Sequence, residues 1–358
     1  MNNAGKKYGG RVSLPISYMA VLARLLLYLY PFLLACNKEE QQEKDFPDKG
    51  LEEIHLDVKS PETAKLQYYD IFVFNDDLMG RLDAYTRLPY KGDYLVYTLS
   101  RNGNKKIAVV ANSPEEKYSW AKVNSWKSLE ESFLSLENED PQFPVMTGSC
   151  KIQGSPYNHR KMDLHPMMAK IRLKSLTCDF SGTPLSGKRL EEGRCYLTNV
   201  CSRYPVLCDK IHSPTSYINQ GHYRQEDMDR FRSESMLYHE FGKAIGSSSS
   251  ILDLDFYCYP NIVERPGLAH PYTRMVIEGK IDGNTYYYPI DLKMPVLFSP
   301  EAEDGVAKGI DGGCEYELDI VLTRPGTLDP DTAISREVSI IKMTIRNWDE
   351  KDKQIIGY

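Results

Sequence analysis

The sequence predicts an all-β protein built from antiparallel β-sandwiches. Three observations carry that reading: short runs in which apolar residues recur at period two, turn residues spaced regularly between them, and a single stretch with helix-start chemistry. The chain has 358 residues with 44 basic and 50 acidic side chains. Its elements follow in order.

Residues 1–35 read as a removable leader. Lys6, Lys7 and Arg11 precede an apolar run from Tyr18 to Ala35, which Arg24 and Pro31 interrupt. A membrane-spanning helix needs about 20 predominantly apolar residues, so a cleaved signal fits better. The run ends at Leu33-Leu34-Ala35 and is followed by Cys36 and then Asn37-Lys38-Glu39-Glu40. This is the pattern of a bacterial lipoprotein signal. Leu33, Leu34 and Ala35 form the lipobox, and Cys36 becomes a lipid-bearing (palmitate-type) N-terminus outside the cytoplasm. Met19 is an alternative start, giving a compact signal with Arg24 as its charged end.

Without Lys6, Lys7, Arg11 and Arg24 the count becomes 44 − 4 = 40 basic against 50 acidic residues, a net charge of −10. That sign gives no electrostatic drive toward nucleic acid. Residues 36–50 are charged and poor in apolar side chains, which makes them a flexible tether. The rest exceeds one ordinary domain, and two are expected. The proline- and glycine-rich stretch before His165-Pro166 divides them into 51–164 and 165–358.

In the first part Ile54, Leu56 and Val58 alternate with His55, Asp57 and Lys59. Tyr68 to Phe74, Tyr94 to Leu99 and Lys106 to Ala111 follow as strands, separated by turns at Asp76-Asp77, Lys91-Gly92-Asp93 and Asn102-Gly103-Asn104. A short helical insertion is expected from Ser113-Pro114-Glu115-Glu116, with Ser128 and Glu131 at capping-box spacing before Phe133, Leu134 and Leu136. In the second part strands are expected at Lys170 to Leu176, Arg194 to Val200, Leu252 to Tyr259 and Thr273 to Glu278. Residues 209–250 form a long polar excursion. Asp282-Gly283-Asn284 is a hairpin turn before Tyr286-Tyr287-Tyr288. Glu315 to Thr323, Val338 to Ile345 and Gln354 to Tyr358 close the chain.

Seven cysteines follow Cys36, an odd number, so at least one is free or pairs between chains. No CxxC occurs, and Cys195, Cys201 and Cys208 lack companion histidines at zinc spacing, so no metal site is assigned. There is no GxSxG, HExxH, P-loop or strand-borne GxGxxG, and neither a catalytic residue nor a cofactor is assigned. His239-Glu240 reads as surface chemistry. Asp253 and Asp255, alternating with Leu252 and Leu254, read as the solvent face of a strand. The 25 tyrosines suit sheet-face packing, with carbohydrate stacking as the sharper alternative.

Several segments, in order, resemble the fimbrillin superfamily of type V pilus subunits. They are the lipobox Leu33 to Cys36, Asp70-Ile71-Phe72-Val73-Phe74-Asn75 running into Gly80-Arg81-Leu82-Asp83, Ile107 to Asn112, and Pro144-Val145-Met146-Thr147-Gly148. Met168-Ala169-Lys170-Ile171 looks like the entry to a second domain. Tyr316 to Ile320 leads to Arg324-Pro325-Gly326 and Asp329-Pro330-Asp331, and then to the strand ending at Trp348. The resemblance spans residues 50–358. It implies two tandem transthyretin-like sandwiches, no enzymatic activity, and assembly with other fimbrial subunits by strand exchange.

In that scheme an N-terminal strand is clipped away and a neighbour's C-terminal segment fills the groove. Leu51 to Lys59 is then the removable strand, with Ile54, Leu56 and Val58 facing the core. Arg336 to Tyr358 is the donor, with Val338, Ile340, Met343, Ile345, Trp348, Ile355 and Ile356 as plugs. Lys38-Glu39-Glu40 resembles the short signal that sends such lipoproteins to the outer face of the outer membrane. Two features depart from the pattern. No arginine lies between Cys36 and Tyr68 for the usual cleavage, and Ile310-Asp311-Gly312-Gly313-Cys314 stands where an arginine-asparagine pair is usual. An uncut, lipid-bearing chain would suit an anchor at the fibre base. The rivals are a glycan-binding surface lipoprotein and a surface hydrolase with two carboxylates about 5–10 Å apart in a cleft.

Overall fold

Period-two alternation places one side of each strand in a core, and the strands sort into sheets accordingly. The computed structural model describes residues 51–358, apart from 63, 93–94, 154–159, 208–211, 232–235, 265–266, 268–269, 294–307, 333, 335–337, 348–353 and 358. The lipobox, Cys36 and Trp348 therefore lie outside the described residues. In chain order the first elements are β1 (Leu51–Lys59), β2 (Tyr68–Asn75), β3 (Leu82–Pro89), β4 (Leu95–Arg101), β5 (Lys105–Ala111), α1 (Trp126–Glu130), β6 (Phe133–Ser135), β7 (Met146–Ile152), β8 (Arg160–Asp163) and β9 (His165–Pro166). Then come β10 (Ala169–Cys178), β11 (Glu191–Thr198), β12 (Val200–Cys201), β13 (Arg203–Pro205), β14 (Tyr217–Ile218), α2 (Gln225–Met228), β15 (Tyr238–Glu240) and β16 (Ser250–Cys258). The last are β17 (Asn261–Val263), β18 (Arg274–Ile281), β19 (Asn284–Asp291), β20 (Lys308–Ile310), β21 (Cys314–Leu322), β22 (Ser339–Asn347) and β23 (Gln354–Gly357).

A three-stranded sheet, β4-β1-β8, faces a five-stranded sheet, β3-β2-β5-β7-β9. Between them lies a core of Ile54, Leu56, Val58, Val96 and Met162 against Tyr69, Ile71, Val73, Ile107, Val109 and Met146. A second pair of sheets, β16-β10-β21-β22-β23 and β15-β11-β18-β19, encloses a separate core. Its members include Ile171, Leu173, Phe256, Leu318, Ile320, Met343 and Ile345 against Cys195, Leu197, Met275, Ile277 and Tyr288. Most pairings are antiparallel, but β1 pairs β8 and β10 pairs β21 in parallel, each joining segments far apart in sequence. The fold is thus the expected β-sandwich, closed by two parallel contacts that period-two reading does not reveal.

The two cores are bridged. The outer side of the five-stranded sheet (Phe72, Phe74, Ala108 and Val110) belongs to the second core, together with Leu129, Leu134 and Leu136 of the insertion. Strand β6 pairs β13, tying the insertion to the later part of the chain. Residues 51–358 accordingly form one compact unit.

The helical insertion is shorter than expected. After Ser113 only a single turn forms, in which the Lys117 and Tyr118 amides donate to the Pro114 carbonyl. Tyr118 and Trp120 then stack at 5.9 Å, and Trp120 meets Phe72 edge-on at 5.4 Å. A short 3-10 turn follows at Trp120–Lys122, so the segment carries its rings onto the sheet in separate turns and not as one helix. The capping box is Ser125 with Ser128, not Ser128 with Glu131: the Ser128 amide donates to Ser125 Oγ at 3.2 Å, and the Ser125 amide donates to Ser128 Oγ at 3.0 Å. Glu131 is the C-cap.

The Asp282-Gly283 hairpin forms with φ of 52° and 81°, the left-handed pair that a tight β-turn requires. The excursion at 209–250 carries β14, α2 and β15. Cys150, Cys178, Cys195, Cys201, Cys258 and Cys314 are free thiols, all but Cys150 buried.

Candidate functional site

The strand expected to be removable is the middle of its sheet. β1 pairs antiparallel with β4, from Leu51 opposite Arg101 to Asp57 opposite Leu95, and in parallel with β8, from Leu56 opposite Arg160 to Lys59 opposite Asp163. Ile54, Leu56 and Val58 point into the first core with exposures of 2%, 0% and 0%. Strand neighbours lie about 4.8 Å apart, so without β1 a slot about one strand wide would separate β4 from β8. Its walls would present unpaired backbone groups, and its floor would be Ile71, Val73, Ile107 and Val109.

The chain after β1 is held independently of it. Asn112, at φ 62°, donates from Nδ2 to the carbonyls of Lys65 at 2.8 Å and Pro144 at 3.0 Å, and its Oδ1 accepts the Gln67 amide at 2.9 Å. Lys59, Glu62 and Lys65 are exposed on either side of this loop. A buried ion pair holds the far corner. Lys105 Nζ lies 2.8 Å from Asp83 Oδ2 and donates to Asn75 Oδ1 at 2.6 Å. Burial pushes the Asp83 carboxyl up, but hydrogen bonds from Lys105, Ser100 and Arg101 outweigh it and hold the group well below the usual carboxylate range.

Strand β4 is inverted relative to its composition. Thr98 and Ser100 are buried, bonded to Thr86 Oγ1 and to Asp83, while Leu95, Tyr97 and Leu99 face outward at 48%, 57% and 54% exposure.

The expected donor segment lies in its own chain here. β22 pairs antiparallel with β21 along its length, and β23 pairs with β22. Met343 and Ile345 are buried in the second core, and Val338 and Ile341 pack against it. Ile340 faces the other way, at 56% exposure. The inward phase is therefore Ile341, Met343 and Ile345, with Lys342, Thr344 and Arg346 between. Sequence reading placed both Ile340 and Met343 among the plugs, but an odd spacing cannot put both on one face of a continuous strand. On the outer face charges form a ladder across four strands: Asp255 on β16, Lys170 and Arg172 on β10, Glu315 and Glu317 on β21, and Arg346 on β22.

A cleft of ≈790 Å³ lies where the insertion meets the first sheet, lined by Tyr68, Arg87, Asn112, Glu139 and Phe143 among others. Arg87 stacks over Tyr68 at 3.9 Å and bonds both oxygens of the buried Asp70. Burial pushes the Glu139 carboxyl up to about 7, against the hydrogen bonds it accepts from Tyr259 and the Val145 amide. Among the described residues no group of three His, Cys, Asp or Glu side chains is placed to hold a metal. No described helix is long and apolar enough to cross a membrane.

Asn112, Ile341, Glu315 and Arg346 were not singled out from the sequence. Ile341 could have been: it alone continues the Met343–Ile345 alternation.

No family model and no curated protein matches the sequence. Solved structures do. A fimbrilin from Porphyromonas gingivalis W83 aligns over 83% of this chain and 97% of its own at 14% identity and TM-score 0.59. A candidate cell adhesion protein from Bacteroides eggerthii aligns over 84% and 96% at 16% identity and TM-score 0.60. The tip fimbrial protein Mfa3 from Porphyromonas gingivalis, with C-terminal truncation, aligns over 83% and 100% at 12% identity and TM-score 0.50. The chain has the β-sandwich fold of fimbrillin-type proteins. Within that fold, β1 is the strand that seals the first core, paired on both of its edges.

Proposed function

We propose that this chain is a structural, non-enzymatic subunit of a cell-surface fimbrium supporting adhesion. It is exported with Cys36 lipidated to the outer membrane and joins other subunits by strand addition. The observation that carries the reading is the position of β1: central in its sheet, paired on both edges, and sealing the first core with Ile54, Leu56 and Val58. Removing such a strand opens a groove that only another strand of the same alternation can close.

The C-terminal segment has that alternation. Ile341-Lys342-Met343-Thr344-Ile345-Arg346 matches Ile54-His55-Leu56-Asp57-Val58-Lys59 position for position in apolar and polar character. Entering in the direction of β1, Ile341, Met343 and Ile345 of a second copy take the sites of Ile54, Leu56 and Val58. Arg346 then falls at the site of Lys59, opposite Asp163. A chain that keeps β1 and its lipid has no open groove and serves instead as an anchor.

The test is to place a specific protease site within residues 60–63, cut the folded protein, and follow its size by chromatography. Cut protein should form polymer, and Met343→Asp, shown by circular dichroism to remain folded before cutting, should abolish it. Cut protein that stays monomeric would remove strand exchange and favour the anchor or glycan-binding reading.

A further inference from the structure

We propose that Arg346 is a clamp that holds β22 in its own chain and restrains the C-terminal segment from passing to a second copy. The geometry stands alone; its consequence for assembly rests on the strand-exchange reading above.

Arg346 stands directly opposite Glu315 in the β21–β22 register. Its Nε donates to Glu315 Oε2 at 3.0 Å and its Nη2 to Glu315 Oε1 at 2.5 Å, a fork-on-carboxylate arrangement. Nη2 also reaches Glu317 Oε1 at 3.4 Å. Both glutamates are largely buried, so they are poorly served by water. Behind them Lys170 and Arg172 lie 3.9 and 3.8 Å from Glu315, and both are drawn toward Asp255, at 3.0 and 2.6 Å. Lys174 stands 3.9 Å from Glu317. The cations of β10 are thus shared between two acidic columns, and Arg346 supplies the closest cation contact that Glu315 has. When β22 leaves, Glu315 and Glu317 lose that contact while still shielded, which is costly for a carboxylate.

Besides its backbone ladder to β21, two side-chain forces hold β22. Burial of Met343 and Ile345 is apolar and is not weakened by salt. The Arg346 contact is electrostatic, and because the Arg346 side chain keeps 25% exposure, salt weakens it in part. A strand that is to be given away needs a hold that yields, and a surface ladder can yield without disturbing the groove partner's apolar fit.

The experiment is hydrogen–deuterium exchange on the full-length folded monomer, comparing wild type with Arg346→Met and Arg346→Lys at about 50 mM and about 1 M salt, where the screening length falls to a few Å. Methionine keeps the apolar stem. At low salt, amides of residues 339–347 should exchange about tenfold faster in Arg346→Met, as expected for losing one charge-assisted contact. Arg346→Lys should fall between. High salt should speed wild-type exchange and narrow its difference from Arg346→Met without closing it.

The double variant Glu315→Gln/Glu317→Gln removes the contact from the other side, and should loosen β22 likewise, should Arg346→Met fold poorly. Unchanged protection of 339–347 at both salts in these variants overturns the clamp. Assembly of cut protein is read separately, and Arg346→Met should speed it. A loosened β22 without faster assembly counts against strand exchange and leaves the clamp standing.

Discussion

The Tyr259 hydroxyl donates to Glu139 Oε1 at 2.7 Å across 120 residues of sequence, while Glu139 Oε2 accepts the Val145 amide at 3.0 Å. One buried carboxylate thus ties the insertion, the start of β7 and the segment after β16 together. Isolated in an apolar setting, such a carboxylate favours its neutral form, and here burial pushes Glu139 up to about 7.

The first prediction follows from that shift. Because the folded value lies above the ordinary 4.5, the contribution of Glu139 to stability is fully present below about pH 4.5 and is lost as pH rises through 7. Wild type should therefore lose up to about 3 kcal/mol relative to Glu139→Gln between pH 5 and pH 8. Denaturant titrations at the two pH values check it. Parallel pH slopes in the two proteins would contradict the buried-acid account.

Leu56→Ala should destabilise the folded chain by about 2–5 kcal/mol, the cost of a cavity in a fully buried site. On the same strand the exposed Glu53→Ala should stay within about 0.5 kcal/mol. Thermal melts of both variants decide whether β1 seals the core as strongly as its burial says.

Met343→Asp and Ile340→Asp separate the two phases of β22. The first buries an unpaired charge and should cost about 3 kcal/mol or more, whereas the second adds a charge to an exposed face and should be nearly neutral. A larger loss from Ile340→Asp than from Met343→Asp would mean that β22 is seated in the other phase.

Lys105→Met leaves Asp83 ionised with one fewer donor and should cost about 3 kcal/mol. The double variant Lys105→Met/Asp83→Leu should recover most of that loss, because a buried pair contributes little beyond what its own desolvation costs. The depressed Asp83 carboxyl contributes stability that is present above the ordinary value near 3.8 and lost as pH falls below it. Chemical denaturation of single and double variants at neutral pH, and of wild type on the acid side, tests both statements.

Much of the strand content was legible because half-buried strands impose period two, and Ile54, Leu56 and Val58 could be placed inward on that ground alone. The same rule misleads at β4. Leu95, Tyr97 and Leu99 look like an inward face, yet Thr98 and Ser100 turn in, because Thr86 and Asp83 satisfy them there. It is also ambiguous at β22, where Ile340 and Ile341 are adjacent and only packing against β21 selects between them. The insertion is broken into short turns that capping spacing does not reveal, because that spacing is local, whereas the rings of Tyr118 and Trp120 pack on the sheet.

The sequence by itself determined the all-β class, the order of most strands and the inward triad of β1, since these depend on alternation and turn chemistry within a few residues. Only the tertiary structure decided that β1 lies between β4 and β8, that β10 and β21 run parallel, and that Arg346 meets Glu315. Those are pairings between segments distant along the chain. They are set by which faces bury together and which charges fall opposite one another, and no local pattern contains that information.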